Sequence, residues 1–350
     1  MKAESPNLDV LRALAVLLVL FDHLVKFFGY ERLGYIEVSW MGGFGVLLFF
    51  VHTCLVLMLS LERLQADGGS LFARFYIRRA FRIYPLSMLT VLTVVGFSIP
   101  ASRIVSGGLV SYHPGTGEVI ANLLLVQNLT AYRNHIIGVL WSLPMEIQMY
   151  VTLPFLFLLA RRFGAKLLLG LWAAAIGIAL IQPSISYRLD IAQFVPHFIP
   201  GVIAYALLSK WKPRINAAWW PAWLLALTAI FLILPGNEFG WFVCLTLGVS
   251  IPLFENLTWK PLTRVAHVVA KYSYGIYLGH LICIWAAFVA RPAWPPVAQW
   301  GVFTLLIFAL PAAMYHLIEH PFIKLGSSVA KRLCSGPAVV RVAPADASPS

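Results

Sequence analysis

The sequence predicts an all-α fold, a polytopic membrane protein of about ten transmembrane helices with cytoplasmic N- and C-termini. Three observations predict it. Of the 350 residues, 60% are hydrophobic and only 11% charged, with a mean hydropathy of +0.81, far from the average of water-soluble chains. The apolar residues gather in runs long enough to cross a hydrocarbon core of about 30 Å. The basic residues fall mostly on one side of those runs.

In chain order the apolar runs lie at 8–28, 42–61, 84–100, 140–160, 167–183, 192–209, 218–235, 239–255, 272–290 and 297–318. The first is too long for a signal-peptide core, lacks a small-residue cleavage site and contains Arg12 and Asp22, so it reads as a span. A further run, 119–129, is too short to cross and belongs at the surface or in a re-entrant segment. The 192–209 run holds Pro196, Pro200 and Gly201, which membrane helices tolerate where neighbours satisfy the freed backbone. Ten crossings return the C-terminus to the side of the N-terminus. All but six of the 26 Lys and Arg residues (Lys26, Arg32, Arg103, Arg133, Arg188 and Arg291) fall on that side, which makes it cytoplasmic.

The net charge of +12 then faces anionic lipid headgroups and calls for no nucleic-acid partner. Cys54, Cys244 and Cys283 fall inside spans and Cys334 follows the last one, with no metal-ligand spacing, so neither a metal nor a disulfide framework is expected. No repeat or second domain is visible. Residues 1–334 read as one membrane domain, and 335–350, rich in Ala, Pro and Ser, as a disordered cytoplasmic tail.

Chemistry is expected where ionisable groups enter this apolar frame, because they are costly there. Arg12 and His23 lie three helical turns apart on one face of the first span, about 16 Å along its axis. That puts Arg12 near one interface and His23 well inside. The segment Arg74-Phe-Tyr-Ile-Arg78-Arg79-Ala-Phe-Arg82-Ile-Tyr84-Pro85 places four arginines at the mouth of the third span. Arg79 and Arg82 share a face, as a bidentate grip for a pyrophosphate or as a topology anchor. In the fourth span Ser142, Glu146 and Tyr150 recur every four residues as a polar ridge. Glu146 is a buried carboxylate, the partner of a buried cation, or a solvated interfacial acid. His280 lies in the ninth span, as a functional group or a hydrogen-bonded packing residue. Glu319 lies between His316 and His320 near the end of the last. His52, His113, His135, His197 and His267 have no partner legible in sequence.

Together these segments resemble the acyltransferase 3 family of integral membrane acyltransferases, from Leu8 to Phe322. The resemblance is carried by Arg12 and His23, by Gly45-Val-Leu-Leu-Phe-Phe-Val, and by Arg79-Ala-Phe-Arg82-Ile-Tyr-Pro. It continues through Trp141-Ser-Leu-Pro-Met-Glu146-Ile-Gln-Met-Tyr150, Ser273-Tyr-Gly-Ile-Tyr-Leu-Gly-His280 and Ile318-Glu319-His-Pro321-Phe322. The chain departs from the family pattern at Leu47 (often Asp), Thr53-Cys54 (Ser-Gly), Ile147 (a second Glu) and Gly279 (Trp). Some members carry a fused SGNH-type domain; the spans alone occupy this chain, which reads as a stand-alone transferase.

The resemblance implies a bacterial cytoplasmic (inner) membrane enzyme that passes an acyl group from cytoplasmic acyl-CoA, most often acetyl-CoA, to a hydroxyl of a carbohydrate such as a surface polysaccharide or its lipid-linked precursor. A macrolide or lipo-oligosaccharide is the alternative acceptor. Acyl-CoA would be a substrate, with no resident cofactor. Arg79, Arg82 and Tyr84 would hold it, its arm reaching toward His23. His23 would act as base or carry the acyl group, with Arg12 beneath it and Glu146 orienting the imidazole; Ser142, Tyr150, His280 and Glu319 are further candidates. Asp22, about 100° around the helix from His23, is a poorer orienter. A proton-coupled secondary transporter would also bury Arg, His and Glu in such a bundle, and a membrane scaffold would use polar residues only for packing.

Overall fold

The computed structural model describes residues 5–66, 70–105, 108–131, 134–186 and 188–334. The tail expected at 335–350 lies outside the described residues.

The fold is almost entirely helical, and each of the ten apolar runs falls on a helix. In order these are α1 (Pro6–Phe27), α2 (Ser39–Ala66), α3 (Leu71–Gly96), α4 (Thr116–Leu123), α5 (Ser142–Ile185), α6 (Ile191–Leu208), α7 (Trp220–Ile233), α8 (Asn237–Ser250), α9 (Lys260–Ile284), α10 (Pro296–Met314) and α11 (His320–Cys334). Two short antiparallel hairpins, β1–β2 (Arg32–Leu33 with Ile36–Glu37) and β3–β4 (Arg103–Val105 with Gly108–Val110), lie in the loops. The 119–129 run becomes the eight-residue α4 and a turn, too short to span.

Five helical stretches are long and apolar enough to cross a membrane by length and composition: Ser39–Gln65, Gly138–Ile185, Ile191–Leu208, Lys260–Val289 and Pro296–Leu333. Helices α1 and α3 have the length, but Asp9, Arg12, Asp22 and Lys26 in one and four arginines in the other dilute their apolar character. The runs at 140–160 and 167–183 fall on two arms of α5 that meet at Gly164. Its φ of 70° is open to glycine at no steric cost. On α5 and α10, large apolar side chains such as Ile178, Ile181, Leu305 and Phe308 are more than half exposed. A contiguous apolar exterior of this kind is what hydrocarbon, not water, would cover.

Helix α1 packs between α2 and α9, and α2 in turn packs on α6. Glycine permits the contacts. A Cβ on Gly45 would lie 2.5 Å from the Ala15 carbonyl oxygen, one on Gly201 2.2 Å from that of Val51, and one on Gly248 2.4 Å from that of Pro200. Small residues that let backbones touch are the usual means of association where lipid supplies no hydrophobic drive. The end of the bundle where α1 begins, called here the near end, is tied by Asn7, which is fully buried. Its amide donates to the Glu255 carbonyl at 2.8 Å and accepts from the Leu257 N–H at 2.8 Å, while its own carbonyl accepts from the Trp220 indole at 2.9 Å.

Replacing Gly201 by Val forces α6 off α2, and we expect a loss of at least about 1–3 kcal/mol, the usual cost of overpacking. Gly170→Ala, with no atom within 4 Å of the added Cβ, should be neutral. Thermal unfolding of the two variants in detergent distinguishes them, and equal melting temperatures would contradict the close α2–α6 approach.

Candidate active site

Inside the bundle α2, α3, α5 and α9 enclose a cavity of about 280 Å³, with Arg12 of α1 entering its wall. Its lining is polar in an unusual way for an apolar protein. Arg12, Arg63, Arg79 and Arg82 face it, against Glu146 as its one lining carboxylate. The excess of guanidinium groups specifies an anionic ligand, and their planar forks suit phosphate oxygens. The Nε–H of Arg79 is buried with no hydrogen-bond partner, a donor left for something the protein does not itself supply.

Helix geometry explains which predicted residues gather here. On α3, Arg79 and Arg82 are three residues apart and share a face. Tyr84 is two residues beyond Arg82, about 200° around the helix; its hydroxyl donates instead to the Leu124 carbonyl at 3.1 Å, and it does not line the cavity. On α5, Ser142, Glu146 and Tyr150 do form a ridge into the cavity, and the Tyr150 hydroxyl donates to Glu146 Oε1 at 2.5 Å. Glu319 sits behind the arginines, almost fully buried, in a π-helical turn at Tyr315–Glu319, with Oε1 3.4 Å from Arg82 Nη2. It neutralises part of the cluster.

Helix α9 acts as a ruler along the site. Ser273, Tyr277 and His280 stand at i, i+4 and i+7, one face of a helix, and each meets a residue from another helix. Arg12 Nε donates to Ser273 Oγ at 2.6 Å. The Tyr277 hydroxyl has one proton, which goes to the Val139 carbonyl at 2.7 Å, so the Ser142 hydroxyl donates to the Tyr277 oxygen, also at 2.7 Å. His280 Nε2 lies 2.9 Å from Nδ1 of His23.

Tyr277, Ser142, Val46 and Phe49 line the cavity, whereas His23 and His280 do not; His280 stands one turn, about 4.5 Å of rise, past Tyr277 on α9. His280 is fully buried, while the His23 side chain keeps 21% of its surface accessible. Glu146, expected beside the imidazole, is held by Tyr150, and the group bonded to His23 is His280. Asp22 Oδ2 comes within 3.7 Å of His23 Nε2, yet its carboxylate is taken by Lys26 at 2.9 Å.

Sequence reading missed Ser273 and Tyr277, whose spacing to His280 was the available signal, and Arg63, which comes from a different part of the chain. It also undervalued His52, which lines the cavity, and His267, which lies 3.0 Å from Asp9.

Comparison with known proteins gives the family. A family model described as an acyltransferase domain matches residues 5–316. Among curated relatives, acyltransferase MdmB of Streptomyces mycarofaciens is 28% identical over 63% of this chain and 52% of its own length. A putative peptidoglycan O-acetyltransferase, YrhL, of Bacillus subtilis (strain 168) is 24% identical over 90% of this chain and 54% of its own length. Nodulation protein 10 of Rhizobium leguminosarum bv. viciae is 24% identical over 93% of this chain and 96% of its own. The chain thus spans about half the length of the first two relatives. No solved structure matches.

Removing Arg82 strands the buried Glu319 carboxylate. Because Arg82 is 29% exposed, the roughly 3–5 kcal/mol typical of a broken buried pair is discounted toward about 1–3 kcal/mol for solvent screening. Arg82→Ala should lower the melting temperature and Arg82→Ala with Glu319→Leu should recover part of it; no recovery would mean the two side chains are not coupled.

The match of the acyltransferase-domain model over residues 5–316, nearly the whole chain, places this protein in the acyltransferase 3 family, a family of enzymes.

Proposed function

We propose that this protein is a membrane O-acyltransferase that takes an acyl group, acetyl in the simplest case, from cytoplasmic acyl-CoA and delivers it to a carbohydrate hydroxyl on the opposite side of a bacterial cytoplasmic membrane. The observation that carries this reading is the placement of four arginines in a cavity whose lining Tyr277 stands one turn of α9 from the His23–His280 pair. In this topology the helices cross ten times and both termini are cytoplasmic, which puts the arginine-lined mouth near Arg63 and Arg79 on the acyl-CoA side.

Acyl transfer needs a grip on the donor, a base for the acceptor hydroxyl and stabilisation of the tetrahedral oxyanion. Arg79, Arg82 and Arg63 supply charge and donors for the CoA phosphates, in a setting where hydrogen bonds to charged groups contribute about 1.5–3 kcal/mol each. The pantetheine arm runs along Glu146 and Tyr150 toward Tyr277. Passage of the thioester to His23 requires the Ser142–Tyr277 contact to part. His23, partly accessible beyond that contact, takes the acceptor proton. The printed name of the Bacillus subtilis relative, a putative peptidoglycan O-acetyltransferase, supports a carbohydrate acceptor.

His23→Ala should abolish transfer of acetate to the acceptor, read as ester-linked acetate on surface glycans by mass spectrometry, while membrane insertion persists. Normal acetylation in that variant would remove His23 from the mechanism. Arg79→Ala combined with Arg82→Ala should weaken acetyl-CoA binding by about tenfold or more, from the value of charged hydrogen bonds. Unchanged affinity by calorimetry would reduce them to topology anchors.

A further inference from the structure

The bond between His23 and His280 fixes more than position. His280 Nδ1 lies 2.9 Å from the Ile276 carbonyl oxygen, which can only accept, so Nδ1 carries the hydrogen. A neutral imidazole has one N–H, and His280 Nε2 is therefore a lone-pair acceptor. The contact of 2.9 Å between His280 Nε2 and His23 Nδ1 must then be donated by His23. The ring geometry agrees: the planes are 25° apart with centroids 5.0 Å apart, as two imidazoles joined edge to edge through a short bond would be. With the hydrogen on Nδ1, His23 Nε2 carries the lone pair.

The alternative is a protonated His280 donating to His23. It would be a cation with no accessible surface and no carboxylate in contact, and an unpaired buried charge costs several kcal/mol. The neutral chain costs nothing comparable. Asp22 does not compete, since its oxygen is 3.7 Å from Nε2 and is already paired with Lys26.

We propose that His280 is a positioning residue that holds His23 in the Nδ1–H tautomer, with Nε2 as the base for the acceptor hydroxyl. The inference rests on the acyl-transfer reading above. In the step, the acceptor O–H bond breaks and its proton goes to His23 Nε2 as the oxygen bonds to the thioester carbonyl carbon. Collapse breaks the C–S bond, and the sulfur leaves with the proton from Nε2. Throughout, the hydrogen stays on His23 Nδ1 and is donated to His280 Nε2, which accepts from the transient imidazolium as a carboxylate does in a Ser-His-Asp triad, without a buried negative charge.

The test uses washed membranes, which carry the acceptor, with acetyl-CoA as donor and His23→Ala as reference. His280→Leu should lower kcat about 100-fold, the low end of what general-base catalysis contributes, with KM for acetyl-CoA unchanged. His280→Gln, whose amide oxygen replaces the Nε2 acceptor, should recover at least about tenfold of that loss. Activity of His280→Leu within about twofold of the parent while His23→Ala is dead, or a Gln variant no better than Leu, would overturn the proposal and leave His280 a packing residue. An active His23→Ala would instead overturn the reading on which it rests. Should His280→Leu not accumulate, nitrogen-15 NMR of histidine-labelled parent protein decides: a hydrogen on His23 Nδ1 supports the proposal, and one on Nε2 overturns it.

Discussion

The polar contacts on which the site depends run along the seam between α1 and α9. An apolar bundle can hold ionisable side chains only if each meets a partner, because an unsatisfied polar group in hydrocarbon costs several kcal/mol. The two helices run side by side from Asp9 and His267 at the near end, through Arg12 and Ser273, to His23 and His280. Each of these three polar groups on α1 meets a partner on α9. Had α1 been displaced by one turn along α9, a guanidinium and an imidazole would have lost their partners together.

The seam is possible because α1 is pressed from the other side by α2. Gly42 and Gly45 leave no room for a side chain, their added Cβ atoms falling 2.5 Å from Asp22 Oδ2 and from the Ala15 carbonyl oxygen. Gly201 and Gly248 pass the same closeness on to α6 and α8. Tight packing on this side contrasts with the cavity on the other, where α2, α3, α5 and α9 stand apart around the arginines. A bundle without a hydrophobic drive between its helices can keep such a polar hollow only if the rest of the contact surface is well packed.

The cavity and the histidine pair form two compartments, with Tyr277 and Ser142 between them. On the proposed function the two have different needs: the arginine cavity would admit a polyanion, while the base would be kept from water until the acceptor arrives. A single turn of α9 separates Tyr277 from His280. Behind the arginines, Glu319 at the end of the π-helical turn Tyr315–Glu319 is buried against Arg82.

By itself, the sequence determined the helical class, the ten apolar runs and the identity of the costly residues, because length, hydropathy and the price of burying charge are local properties. The ridge of Ser142, Glu146 and Tyr150 and the pair Arg79 and Arg82 were legible for the same reason: helical spacing puts them on one face. Even the absence of Tyr84 from that face follows from the 3.6-residue turn. Which residue meets which was decided only by the tertiary structure. His23 and His280 are 257 residues apart, and Arg12 and Ser273 are 261 apart. No periodicity reports such contacts, because they are set by how deeply glycine lets one helix sink against another. The same depth brought His280, and not Glu146, against the His23 imidazole.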